Sequence, residues 1–239
     1  MMMLGPCLAY GQVNVERLRP SVQPDVLSQS LMCAFTYLTG NSDSLEILPS
    51  YRVDYATPTW SMLGIGNLRY GSRNGANFVN QGFVHLRGSL RLDPTATWEG
   101  FVQKEYDDFR RVTDRQLLGS NYRLSIVDDT WFTGSGALGL MAESETNTVE
   151  GLMTLVRFNS YLTGTLRGSN VICVVTTYLQ PALRDFSDFR VLADATVTVM
   201  MTDLPIGLST GLKLFYDSQP PVGVGTMDLG LTSGVNVHF

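Results

Sequence analysis

The chain has 239 residues, with 17 Lys+Arg against 22 Asp+Glu, a net charge of -5, and 16% charged against 44% hydrophobic residues. That excludes a disordered chain, which would be more charged and less apolar, and a disulfide scaffold, for which 3 Cys are too few. It also excludes a nucleic-acid binder, because no basic block interrupts this acidic sequence; few charges with 23 Gly, 10 Tyr and 11 Phe suit an all-β protein, soluble or membrane-embedded.

Residues 1–11, MMMLGPCLAYG, are short and apolar, with small Ala9 and Gly11 just before a cleavage point after Gly11. They read as the remnant of a secretory signal peptide lacking its basic segment. Residues 12–27, with Pro20 and Pro24, read as an irregular periplasmic lead-in, and 28–239 as one β-domain. No stretch offers the roughly 20 apolar residues of a spanning helix. The longest charge-free run, GSNVICVVTTYLQPAL between Arg167 and Arg184, contains Asn170, Gln180 and Pro181 and is β-branched at its centre.

From residue 28 onward, apolar and polar residues alternate with period 2, broken by turn residues. The pattern predicts strands near 28–39, 44–55, 59–71, 78–92, 95–108, 114–127, 131–143, 152–163, 169–180, 190–202, 205–217 and 226–239. In the last, Met227, Leu229, Leu231, Val235 and Val237 share one face, and Asp228, Gly230, Thr232, Gly234 and Asn236 the other. The fold expected is an all-β, transmembrane, antiparallel up-and-down barrel of about twelve strands, an even number that returns both chain ends to one side.

A soluble sandwich alternates as well and also keeps its core free of charge, so charges, connection lengths and aromatics are weighed together. The apolar faces carry one clear mid-strand charge, Lys104, close enough to a strand end to snorkel. The opposite face is expected to line the interior with a charge network of Arg52, Arg69, His85, Arg87, Arg91, Glu99 and Gln103, continued by Glu105, Asp107, Arg115, Arg123, Arg157, Lys213 and Asp228. Symmetric hairpins would set Glu99 opposite Arg123 and Asp107 opposite Arg115. Short connections (ATPT, DPTA, DDT, TDLP) alternate with longer ones (SRNGAN, DDFRRVTD, ESETNTVEG, PALRDFSDF), as periplasmic turns alternate with extracellular loops. Trp60, Trp98 and Trp131 fall at the tight-turn ends and Tyr70 and Tyr106 at the other ends, as two aromatic girdles would. Pro49 falls inside a strand and calls for a bulge; Cys33 and Cys173 read as isolated packing residues.

Several strings resemble the YdiY-like family, which includes a salt-induced outer membrane protein: TGNSDS at 39–44, WEGFVQKEYDDFRRVTDRQLLGS from Trp98, GALGLMAESE around Glu143, and YDSQPP at 216–221. The resemblance covers about 30–239 and implies an exported, Gram-negative-type outer-membrane barrel without catalytic residues, linked to salt stress. Phe239, with Val237 and Val235 at two-residue steps, looks like the C-terminal signal read by the barrel assembly machinery. Membrane lipids are the other expected partner.

Chemistry is sparse. GSGALG at 134–139 matches a dinucleotide fingerprint, but a turn precedes it and strand alternation follows, so it reads as small residues in a strand. His85 and His238, the 2 histidines, both fall on the polar face at different depths; a Ser–His–acid site would need Ser89 close to His85 with Glu105 or Glu99 behind it, and polar filling of the lumen explains these residues more simply. No enzyme activity, cofactor or metal is expected. The charged interior predicts a lumen largely crossed by ion pairs. Two readings stay open: a narrow solute or ion channel, and a sealed structural or loop-binding barrel. A soluble all-β binding protein is the third alternative. The membrane readings require acyl chains on the apolar face and a sheet without an open edge.

Overall fold

The structure, a computed structural model, describes residues 25–201 and 206–237. The alternation produces twelve antiparallel strands in sequence order: β1 (Ser28–Leu38), β2 (Ser44–Ala56), β3 (Trp60–Arg73), β4 (Ala76–Arg91), β5 (Ala96–Asp107), β6 (Val112–Asp128), β7 (Phe132–Asn147), β8 (Gly151–Arg167), β9 (Val171–Ala182), β10 (Asp185–Met200), β11 (Ile206–Asp217) and β12 (Met227–Val237). Among the described residues, no helix is long and apolar enough to cross a membrane. The signal remnant at 1–11 and most of the lead-in at 12–27 lie outside the described residues.

The sheet is turned inside out relative to a water-soluble protein. On β5, Trp98 is 50% exposed and Val102 45%, whereas Glu99 is fully buried and Gln103 only 4% exposed. The same inversion holds on β4, where Val84 and Leu86 are exposed while His85 and Arg87 are buried. Water would cover the charges and hide the aliphatic side chains; a hydrocarbon surround selects the reverse. On β6 the outward Leu118, Tyr122, Leu124 and Ile126 are all exposed. Eight residue steps of about 3.3 Å, at a tilt of about 40°, make most of the apolar height a bilayer needs. Trp60, Trp98 and Trp131 are exposed at the end of the sheet holding the 57–59, 92–95 and 129–131 connections. The indole N–H of Trp98 donates to Ser120 Oγ at 2.8 Å and that of Trp131 to Asp129 at 2.9 Å. An amphipathic ring with its donor satisfied suits the interface.

Several local expectations change. Pro49 needs no bulge: the β2–β3 register runs straight through it, with Ile47 paired to Tyr70 and Ser50 to Asn67, and the ladder omits the two positions between. The long-loop side is built largely of strand. Only Asn74 and Gly75, both at positive φ, join β3 to β4, and only Leu183 and Arg184 join β9 to β10. Asn-Gly fits this tight hairpin because its turn type requires left-handed backbone at both positions. ESETNTVEG, expected as a loop, is the end of β7, a three-residue turn and the start of β8.

The sheet curls far enough for the connection between β5 and β6 to touch β11 and β12: its Arg110 approaches Asp228 at 3.7 Å and stacks on the Phe215 ring. Closure differs from the expectation. Among the described residues no ladder joins β1 to β12, and β1 is exposed on both faces. The curl of β3–β10 is held by long inward side chains that bridge the interior. The inward residues of β1 and β12 are mostly Ser, Thr, Ala and Gly, too short to draw the edges together.

Candidate functional site

Alternation aims every second side chain of each strand into the curl, and strand pairing then decides which charges meet. The densest meeting place lies toward the end of the sheet carrying the β5–β6, β7–β8, β9–β10 and β11–β12 connections. Here Arg115 of β6 pairs with Glu105 of β5 at 2.6 Å, and with Glu145 of β7 at 2.6 Å and Glu143 at 3.2 Å. Arg157 of β8 pairs with Glu143 at 2.7 Å and with Asp188 of β10 at 2.8 Å. Arg190 of β10 pairs with Glu143, with Glu145 at 3.2 Å and with Asp217 of β11 at 2.8 Å. Glu143 thus accepts three guanidiniums. Bidentate Arg–carboxylate geometry makes such contacts strong, and burial makes an unpaired member costly. The chain of polar contacts continues to His85, whose Nδ1 lies 2.9 Å from Gln103 Oε1, while Gln103 Nε2 donates to Glu105 at 2.6 Å.

Other expected network members form separate groups. Arg87 lies 4.0 Å from Glu99, which also accepts the Tyr161 hydroxyl at 2.9 Å. Arg69 pairs with Glu46 at 2.9 Å, and Arg52 with Asp54 one inward position along β2. Arg123 donates to Ser135 Oγ at 2.8 Å. Lys213 sits beside Asp194 in register. Arg91 is exposed at the end of β4, away from the buried groups. Asp228 meets Arg110, and Asp107 accepts the backbone N–H groups of Phe109 at 3.0 Å and Arg110 at 3.2 Å, capping a 3-10 turn, Asp108–Arg110. Val235 faces outward, opposite Leu208, and Val237 pairs with Ile206; Phe239 and His238 lie outside the described residues.

The expected pairings are corrected. Glu99 stands opposite Asn121 rather than Arg123, and Asp107 opposite Val112 rather than Arg115; Arg115 faces Glu105. The turn and an irregularity between Glu105 and Asp107 shift the register by two residues. Such a slip keeps every side chain on its face and changes only its partner. Missing from the expected set are Glu143, Glu145, Asp188 and Arg190; Asp217 falls on the polar face by its alternation with Tyr216, as the structure has it. The signal was present: Met141, Glu143, Glu145 and Asn147 alternate with Ala142, Ser144 and Thr146, so β7 continues through a stretch whose polarity suggests a loop.

Arg110 was also missed. It stands in a connection, yet it is 9% exposed, with its guanidinium carbon 3.6 Å from the centre of the Phe215 ring. Burial pushes its pKa down and the Arg115 charge adds to this, against the opposing pull of Asp228, Asp107 and Glu105; an arginine stays protonated regardless. On the outer face, Lys104, 68% exposed, pairs with Asp114 at 3.1 Å, so the one outward charge expected has a partner on the next strand.

Small inward residues gather on the remaining arc. Gly207, Ser209 and Gly211 of β11, Gly230, Thr232 and Gly234 of β12, and Ser28, Ser30, Ala34 and Thr36 of β1 face the interior. Phe101, Leu117 and Met141 form one apolar cluster, and Ala137, Tyr161, Tyr178, Leu192 and Phe215 another, the last on β11 itself.

An inverted, up-and-down sheet of twelve strands with a charged interior defines the outer-membrane β-barrel class. The chain belongs to the family described as "Protein of unknown function, DUF481", whose model matches residues 33–239; this is the YdiY-like family of outer-membrane β-barrels. No curated protein matches it. A solved structure of the NanC porin is similar at 10% identity and a TM-score of 0.49, over 81% of this chain and 94% of that one.

Proposed function

We propose that the protein is a narrow outer-membrane conduit for small polar solutes or ions, running off-axis along the β11–β12–β1 wall. One observation carries this reading. The longest inward side chains of β4–β10, among them Arg87, Glu99, Arg157 and Arg190, are buried and paired, while Gly207, Ser209 and Gly211 of β11, Gly230, Thr232 and Gly234 of β12 and Ser28, Ser30, Ala34 and Thr36 of β1 line a stretch of short side chains, bounded on β11 by Lys213 and Phe215. A twelve-stranded barrel is only modestly wider than one that side chains fill. Space for a water path therefore falls where side chains are short. With both termini periplasmic, the small-residue wall opens toward the periplasm, and the Glu143 cluster sits toward the outside. Lipids cover the outward face, and the C-terminal strand is the element recognised by the barrel assembly machinery. The salt-stress link implied by the family resemblance belongs to the same reading.

Planar-bilayer recording of the refolded protein tests the conduit. A small conductance that Gly211→Trp reduces severalfold is the expected result. The second reading, a sealed barrel working through its outer surface, draws support from the packed β4–β10 arc. Conductance at the lipid background in both proteins would establish it instead.

A further inference from the structure

The 3-10 turn after β5 does more than reverse the chain. Most connections of a barrel stay above the two strands they join. This one sends Arg110 inward to the opposite wall, where its guanidinium lies on the Phe215 ring at 3.6 Å and its Nε is 3.7 Å from Asp228. The adjacent Arg111 donates from Nη1 to the Val222 carbonyl at 2.6 Å, in the β11–β12 connection. At the root of the turn, Asp107 caps its N-terminus and Asn80 donates to Asp108 at 2.6 Å. Thr148 N donates to the Arg111 carbonyl at 3.2 Å. One side of the turn is thus anchored to β4 and to the β7–β8 turn, and the other reaches across the mouth.

The contacts at the reaching end are of a different kind. Among the described residues, Arg110 Nε and Nη1 form no hydrogen bond, although both are buried. The cation is held by ring stacking and by charge at 3.7 Å. These contacts have little directional demand, and the two unbonded N–H groups gain water's hydrogen bonds when the cation leaves. Phe215 and Asp228 are register partners where the small-residue wall of β11–β12 meets the mouth. Arg110 therefore stands over the outer exit of the wall assigned to the conduit.

We propose that the Asp108–Arg110 turn is a latch that closes this exit, with Arg110 as its bolt and Phe215 and Asp228 as its seat. The latch rests on the conduit reading but fails separately from it. Release means loss of the Phe215 stack and the Asp228 pairing, with the turn swinging about its Asp107 and Asp108 anchors.

The test uses the full barrel in planar bilayers. Arg110→Ala and Asp228→Asn are each expected to raise conductance severalfold, and heat-modifiable migration checks that they fold. A second arm holds the latch shut: Arg111→Cys with Val222→Cys, in a background with the native cysteines replaced by Ser, joined by a short reducible bis-thiosulfonate. Linking is expected to lower conductance to background, and reductant to restore it. Equal conductance in wild type, both single variants and the linked protein, including none in any of them, overturns the latch. If Gly211→Trp blocks conductance and these variants change nothing, the conduit stands and the latch falls.

Discussion

At the scale of the residue, Glu143 carries the most concentrated interaction in the interior, since Arg115, Arg157 and Arg190 all converge on its carboxylate. Removing one partner of a buried ion pair costs about 3–5 kcal/mol, because the remaining charges lose their compensation. Glu143→Gln keeps the shape and removes the charge, so a loss in that range is expected, read as a lower temperature for heat-modifiable unfolding and a lower urea midpoint on refolding. The joint substitution of Glu143 and Arg157 by Gln and Met is expected to cost less than the sum of the two singles, because they share one network. Outside the sheet, Asp93 governs the β4–β5 turn by accepting from Thr95 N, Thr95 Oγ1 and Ala96 N at 2.7–2.8 Å. The Thr95 backbone bond is the largest influence, followed by its hydroxyl and by Ala96 N–H, and together they hold the Asp93 carboxyl below the ordinary aspartate range. A depressed folded value means this contribution is complete above the unfolded value and is lost as pH falls through the folded one. Protection factors for the Thr95 and Ala96 amides, referred to intrinsic exchange at each pH, should therefore hold at neutral pH and fall only in strong acid, and Asp93→Asn should remove that step.

At the scale of the element, period-2 alternation is enough to place all twelve strands and to sort their faces. The outward Leu86, Val102 and Leu118 and the inward His85, Gln103 and Leu117 fall as their positions dictate. A lipid-facing surface sharpens the test of that sorting. Val102→Arg is expected to destabilise the folded barrel by about 2–4 kcal/mol, the cost of a cation at mid-bilayer depth. Thr232→Arg, on the inward wall, is expected to cost far less, and refolding titrations into lipid vesicles compare the two. What alternation leaves open is which residues meet. Arg115 reaches Glu105 rather than Asp107 because the turn after β5 moves the hairpin centre, and no local pattern encodes a shift that keeps both faces intact. Strand ends were harder still. Ser144, Glu145 and Thr146 are as polar as loop residues, yet they continue β7, because strand that projects past the hydrocarbon no longer needs an apolar face. Glu145 and Asp188 were hidden for that reason, whereas Glu143, Arg190 and Asp217 stand at the last or first position of a predicted strand. Arg110 lay beyond any periodicity, since its burial depends on β11 and β12, far away in the chain.

At the scale of the whole molecule, the edges decide whether the sheet can live in a bilayer. β1 and β12 each present a row of backbone N–H and C=O groups without a ladder partner among the described residues. In water such edges are tolerated; in hydrocarbon each unsatisfied group costs several kcal/mol, which is why only closed sheets span membranes. Over the 11 residues of each strand this outweighs any local preference of the short inward side chains. Insertion should therefore bring the edges together, running antiparallel, since β1 begins and β12 ends on the same side. Their outward faces already match, with Leu31, Phe35 and Tyr37 on one and Leu229, Leu231 and Val235 on the other. Paired cysteines test this in a Cys-free background: Phe35→Cys with, in turn, Leu229→Cys, Leu231→Cys and Ser233→Cys. One pairing is expected to form a disulfide efficiently in lipid vesicles and poorly in urea, and the barrel so linked should resist unfolding more than the reduced form. Failure of every pairing in the series, with the protein demonstrably inserted, would mean that the seam stays open or is filled by another strand. A second copy would then be the first partner to seek, because exposed edges pair with whatever strand they meet.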